Sequence, residues 1–224
     1  MKPIAIFFDW DDTLVDTWHV SFNALNTTRV KMGLNPWTDE EARRARGPSA
    51  KDLFTHLFGA SRWEEADRIY YQAYLDHIEK NLTVLKGARE LLDFLKSKNI
   101  IMGVVSNKRP VILKTEIAHL NWHKIYFNDI MIGAGEATED KPSSAPLLMA
   151  LDQARLNIGS NHNLSIWYIG DSWSDIACAL SAKLCAVHFG LHPLAEDKIK
   201  LFKPHLSFQT HEFFMEYIKR EFST

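Results

Sequence analysis

Apolar residues in this chain gather into short unbroken runs, and amphipathic stretches separate one run from the next. Ile4-Ala5-Ile6-Phe7-Phe8 is apolar throughout and closed by acidic residues, the pattern of a strand buried on both faces. Residues 100–105, 129–132, 165–169 and 184–187 repeat the pattern. Between them, residues 87–98, 110–120, 143–157 and 173–182 read as helices. This alternation predicts an α/β fold, a doubly wound parallel sheet. Residues 205–208 add a last strand before a terminal helix around 211–220.

One segment breaks the rhythm. Residues 17–85 read as wholly helical and stand between the first strand and the next. Thr38-Asp39-Glu40-Glu41 and Ser61-Arg62-Trp63-Glu64 each match the S/T-x-x-E capping box, and Trp63, Ala66, Tyr70, Ala73 and Tyr74 recur at helical spacing. Asn35-Pro36, Gly47-Pro48 and Phe58-Gly59-Ala60 punctuate the helices. The expected organisation is an α/β core of residues 1–16 and 86–224 with an all-α cap at 17–85, near the lower end of independent folding size.

Composition narrows the field. With 26 Lys and Arg against 28 Asp and Glu, the formal net charge of −2 gives no reason to expect nucleic acid or an anionic membrane as a partner. The 10 histidines lack a metal-like spacing such as H-E-x-x-H. No apolar run approaches the length that spans a bilayer, and the run at 4–8 is too short for a signal peptide. Cys178 and Cys185 stand outside any C-x-x-C arrangement and read as buried free thiols. The expected location is the cytoplasm.

Candidate chemistry lies in four separated pieces: Asp9-Trp10-Asp11-Asp12-Thr13, Ser106-Asn107, Lys141-Pro142 and Gly170-Asp171-Ser172-Trp173-Ser174-Asp175. The first, second and fourth each follow a strand-like run, and open α/β sheets place their ligands at strand tips. In order and position they resemble the motifs of the haloacid dehalogenase superfamily: D-x-D-G-T-L/V after the first strand, a Ser or Thr after a later one, a Lys, and G-D-x-x-x-D. The resemblance is nearest to phosphoglycolate-phosphatase-like members with a helical cap and runs through almost the whole chain, least closely in the cap.

Phosphoryl transfer needs a nucleophile in line, a proton donor for the leaving oxygen, and positive charge around the transferring group. Asp9 is the candidate nucleophile, forming an aspartyl-phosphate. Asp11 is the candidate acid for the leaving alcohol and base for water. Ser106, Asn107 and Lys141 are candidates for holding phosphate oxygens. Asp175 would orient Lys141 or a metal-bound water. Mg²⁺ takes oxygen ligands, which Asp9 and Asp171 can supply; the resemblance adds the Asp11 backbone carbonyl. The second carboxylate, Asp11, favours phosphate esters, because the resemblance implies that dehalogenases and phosphonate hydrolases lack it.

Asp12 stands where the resemblance expects Gly, and Asp tolerates unusual backbone angles. Trp10 is bulky for its place and is expected to narrow the pocket. Arg46 and Lys51, in a stretch similar to a substrate-facing loop of the same enzymes, are candidates for a second anionic group on the substrate. A solvated surface role for them is the competing reading. Three other functions stay open: a phosphotransferase or mutase of the β-phosphoglucomutase type, a receiver-like phospho-accepting domain, and a binding protein without turnover. The substrate expected is a small-molecule phosphate ester; its identity and the oligomeric state are not encoded legibly.

Overall fold

A computed structural model describes residues 2–45, 50–156, 163–190 and 201–223. The chain divides into two compact units, Met1–Asp16 with Val84–Thr224, and Thr17–Thr83.

In the first unit, β1 (Ala5–Phe8) is buried at every position, as its uninterrupted apolar sequence requires. It lies mid-sheet between β4 (Ile101–Val105) and β6 (Asn163–Gly170), parallel to both. β5 (Met131–Ile132) pairs parallel on the far side of β4, and β7 (Leu184–Phe189) and β8 (Leu206–Phe208) extend the other half. The order is therefore β5-β4-β1-β6-β7-β8. From β1 the chain first works outward through β4 and β5, then returns to β6 and works the other way. The turning point lies between β1 and β6, where a crevice opens beyond the strand ends.

Helices α5 (Ala88–Ser97), α6 (Pro110–His119), α7 (Ala145–Gln153), α8 (Trp173–Ser181) and α9 (His211–Glu221) accompany the strands. A principal core joins Phe7, Val105, Leu147, Tyr168, Ile176 and Ala186. Gly103 is needed in β4 because a Cβ there would come within 2.7 Å of Ile130 and 2.9 Å of Phe7. Cys178 and Cys185 are buried and unbridged, as their spacing suggested. Among the described residues no helix is long and apolar enough to cross a membrane.

The second unit contains α1 (Trp18–Lys31), α2 (Asp39–Arg44), α3 (Ala50–Phe58) and α4 (Trp63–Asn81) around its own cluster of Leu25, Met32, Ala42, Phe54 and Ala66. The short strands β2 (Val15–Asp16) and β3 (Thr83–Val84) pair with each other, so the stretch read as helix throughout ends in a strand instead.

Several boundaries differ from those the sequence predicts, each for a backbone reason. The capping box at Thr38 and Glu41 forms in full. The one at Ser61 does not: a turn from Gly59 O to Arg62 N delays the start of α4, so Arg62 becomes the N-cap. Asn128 and Asp129 take φ of 47° and 61°, so β5 cannot begin at 129. Arg155 at φ 55° ends the turn that follows α7, short of 157. A π-helix at His123–Phe127 had no signature in the pattern.

Candidate active site

The four pieces converge at the crevice. Asp9 directly follows β1, Ser106 follows β4, Asp171 follows β6, and Lys141 lies in the loop from β5 to α7. Asp9, Ser106 and Lys141 belong to one cavity of about 280 Å³ lined by Asp9, Asp11, Ser106, Asn107, Lys108, Lys141, Ser172 and Ser174. Every one of these residues comes from the α/β unit.

Lys141 is the hub. Its buried ammonium donates to Asp9 Oδ1 at 2.8 Å, Asp175 Oδ1 at 2.6 Å and the Tyr168 hydroxyl at 3.0 Å, with the Val105 carbonyl at 3.3 Å. Burial opposes its charge, but Asp175 and Asp9 outweigh that and hold its pKa above the usual lysine value. The backbone of Lys141 is fixed as well: Asn107 donates from Nδ2 to Lys141 O at 2.9 Å and accepts from Lys141 N at Oδ1, 3.0 Å. Asn107 thus clamps the loop that carries the lysine, a role its sequence position does not reveal.

Asp175 is saturated by protein donors. Besides Lys141, its Oδ1 accepts from Tyr168 at 3.2 Å, and its Oδ2 accepts from Ser172 N at 2.9 Å as part of the capping box of α8. A carboxylate so occupied suits the positioning of Lys141 better than the ligation of an ion. Gly170 makes room for it, since a Cβ there would lie 2.3 Å from Asp175 Cγ.

Carboxylate oxygens of Asp9, Asp171 and Asp175 all lie within 4.8 Å of one another. Burial is the largest influence on Asp9; against the pull of Lys141, it and the nearby Asp175 push the Asp9 carboxyl up to about 7. Asp171 is pushed up to about 8, by burial first and then by repulsion from Asp9, Asp175 and Asp12. One lysine does not offset this much negative charge. An all-oxygen donor set with surplus negative charge fits a hard divalent cation such as Mg²⁺.

The departures from the resembled motif resolve differently. Asp12 takes φ of 55°, the left-handed region that a glycine would favour, so the tolerance expected of Asp is used. Trp10 does not narrow the pocket. Its side chain is fully buried, edge-on to Trp122 at 5.9 Å between centroids, and donates from Nε1 to Glu116 Oε2 at 2.7 Å. Alternation along the extended chain sends it to the interior while its neighbours Asp9 and Asp11 face the cavity.

Sequence reasoning missed Tyr168, Lys108 and Glu116. Lys108 bridges Asp11 Oδ1 and Glu116 Oε2, each at 2.7 Å. Glu116 carried a signal that could have exposed it: it interrupts the apolar face of α6 formed by Ile112, Leu113 and Ile117, and a charge there must be paired. Of the specificity candidates, Arg46 lies outside the described residues. Lys51 is an exposed residue of α3 with its ammonium 5.0 Å from the Trp63 ring centroid.

A parallel sheet with its switch point beside a carboxylate–lysine pocket defines an α/β protein with its candidate site at the strand ends. The chain belongs to the haloacid dehalogenase-like hydrolase family, whose model matches residues 6–188. It is 27% identical over 194 residues to a phosphoglycolate phosphatase of Chromobacterium violaceum, covering 83% of this chain and 84% of that one. It is 28% identical over 200 residues to an N-acetylmuramic acid 6-phosphate phosphatase of Pseudomonas aeruginosa, covering 86% and 85%. Among solved structures, a haloacid dehalogenase-superfamily hydrolase from Ehrlichia chaffeensis is 30% identical, with a TM-score of 0.64 and 98% of each chain covered.

Proposed function

We propose that this protein is a Mg²⁺-dependent phosphomonoesterase that hydrolyses a small phosphorylated metabolite, phosphoglycolate-like or a sugar phosphate, through an aspartyl-phosphate. The observation that carries the reading is the placement of Asp9 on the Lys141 ammonium, with Asp11 in the same cavity. The two curated phosphatase relatives support it.

Asp9 attacks phosphorus, so the carboxylate–phosphorus bond forms as the ester P–O bond breaks. The proton for the departing alkoxide comes from Asp11. Water then attacks the same phosphorus, giving its proton to Asp11, and Asp9 is regenerated with inorganic phosphate released. Lys141 counters the repulsion between the phosphate and the carboxylates, and the Ser106 hydroxyl binds a phosphate oxygen. Asp175 and Tyr168 keep Lys141 aimed at Asp9. Asp9, Asp171 and the Asp11 carbonyl would hold Mg²⁺, which when bound supplies positive charge to the transferring group. The helical unit, residues 17–83, is the substrate-selecting cap.

Inorganic phosphate release from a panel of phosphomonoesters, including 2-phosphoglycolate and an aryl phosphate, tests the reading. Release should require Mg²⁺, stop with chelator and disappear in Asp9→Asn. Consumption of an ester without matching phosphate release would instead indicate a phosphotransferase.

A further inference from the structure

Lys108, Glu116 and Trp10 form a closed circuit with Asp11. Glu116 is 0% exposed, and its Oε2 accepts from both the Trp10 indole and the Lys108 ammonium at 2.7 Å. The same ammonium reaches Asp11 Oδ1 at 2.7 Å, and Asp11 is covalently next to Trp10. The dipeptide Trp10-Asp11 is therefore gripped at both side chains by a single buried carboxylate, once directly and once through Lys108.

We infer that Lys108 is a positioning residue for the acid–base group Asp11, anchored from beneath by Glu116 and Trp10. This rests on the phosphatase reading above. Lysine is a flexible side chain, and on its own an exposed pairing with Asp11 would order little. Here the Lys108 side chain is only 9% exposed, whereas that of Asp11 is 32% exposed toward the cavity. The buried partner supplies the rigidity: a charge as enclosed as that of Glu116 keeps its cation in place, because drawing the ammonium away from a carboxylate in the interior is costly. Trp10 adds a second donor to the same oxygen, and its packing edge-on against Trp122 fixes the indole. With Oδ1 held by Lys108, rotation of the Asp11 carboxyl about its Cβ–Cγ bond is restrained, which sets the direction in which it delivers a proton to the leaving oxygen. The circuit draws on three elements: the loop after β1, the loop after β4, and α6.

Leaving-group dependence tests the inference. An alkyl phosphate needs a proton on its departing oxygen, whereas 4-nitrophenyl phosphate releases a stable phenolate without one. Because Lys108→Met alone would take a cation from the buried Glu116 carboxylate, the variant to compare is the neutral pair Lys108→Met with Glu116→Gln. Its kcat/KM should fall about a hundredfold for the alkyl ester and less than about threefold for the aryl ester. Adding both changes to Asp11→Asn should cost the alkyl ester little more than Asp11→Asn alone, since residues acting as one unit are not additive. Equal losses on the two esters would overturn the inference, because they point to structural damage or to direct substrate binding by Lys108. Additive losses on the Asp11→Asn background would overturn it too. If the unaltered protein releases phosphate from neither ester, the phosphatase reading itself fails, and this role for Lys108 fails with it.

Discussion

At the residue scale, the site depends on paired burial. Lys141 pairs with Asp9 and Asp175 at once, so removing its charge should cost far more than the loss of an exposed ion pair. Lys141→Met is expected to lower unfolding free energy by about 3–5 kcal/mol, measured by urea denaturation without metal. A loss below about 1 kcal/mol would mean that the two carboxylates are adequately solvated without it. His211 offers a pH prediction. Packed 4.3 Å from the Phe189 ring and hydrogen-bonded to the Lys86 carbonyl, it is pushed down to about 4, chiefly by burial. The unfolded chain takes up this proton near pH 6.5 and the folded one only near 4, so acidification through that window favours unfolding. The contribution is up to about 3 kcal/mol. Asp9 and Asp171, pushed upward, act with the opposite sign, so the measurement is the difference between the unaltered protein and His211→Gln. Their stability gap should shift as pH falls from 6.5 to 4, in favour of the variant; parallel pH curves would show that His211 titrates normally.

At the element scale, strand ends and helix starts do the placing. Gly170 ends β6 and Ser172 caps α8, and between them the chain turns tightly enough to set Asp171 near Asp9 while Asp175 reaches back to Lys141. Gly170→Ala would put a methyl group into Asp175, so activity should drop at least about tenfold with a loss of about 1–3 kcal/mol in stability. Phosphate release and thermal unfolding check this together; an alanine variant with full activity would show that Asp175 can move without consequence. Elements were legible wherever the pattern was strong. β1, β4, β6 and β7 read directly as continuous apolar runs, because strands covered on both faces have no polar side to obscure them. Ends were less legible, since Arg155, Asn128 and Asp129 adopt left-handed angles that neither their identity nor their neighbours required.

At the scale of the whole molecule, the chain places the helices of residues 17–82 between two short strands that pair with each other. Because β2 and β3 are hydrogen-bonded neighbours, a short Gly-Ser linker can close the gap left by removing 17–82, which leaves both strands whole, at little entropic cost. The shortened protein should unfold cooperatively and hydrolyse 4-nitrophenyl phosphate while losing discrimination among natural esters. Circular dichroism and the phosphate panel measure both properties. A shortened chain that folds and keeps the original substrate ranking would remove residues 17–82 from specificity.

The sequence by itself determined the α/β alternation, the order of the four motifs and the chemical identity of Asp9, Asp11, Lys141 and Asp171. Those features are local: each is a run of apolar residues or a polar group at its end. Only the tertiary structure decided who pairs with whom. That Lys141 sits between Asp9 and Asp175, that Asn107 clamps its loop, and that Trp10 turns inward to share Glu116 with Lys108 all depend on residues up to 132 positions apart. Burial and hydrogen-bond satisfaction select such partners in the folded sheet, and neither is written in the spacing of a single chain.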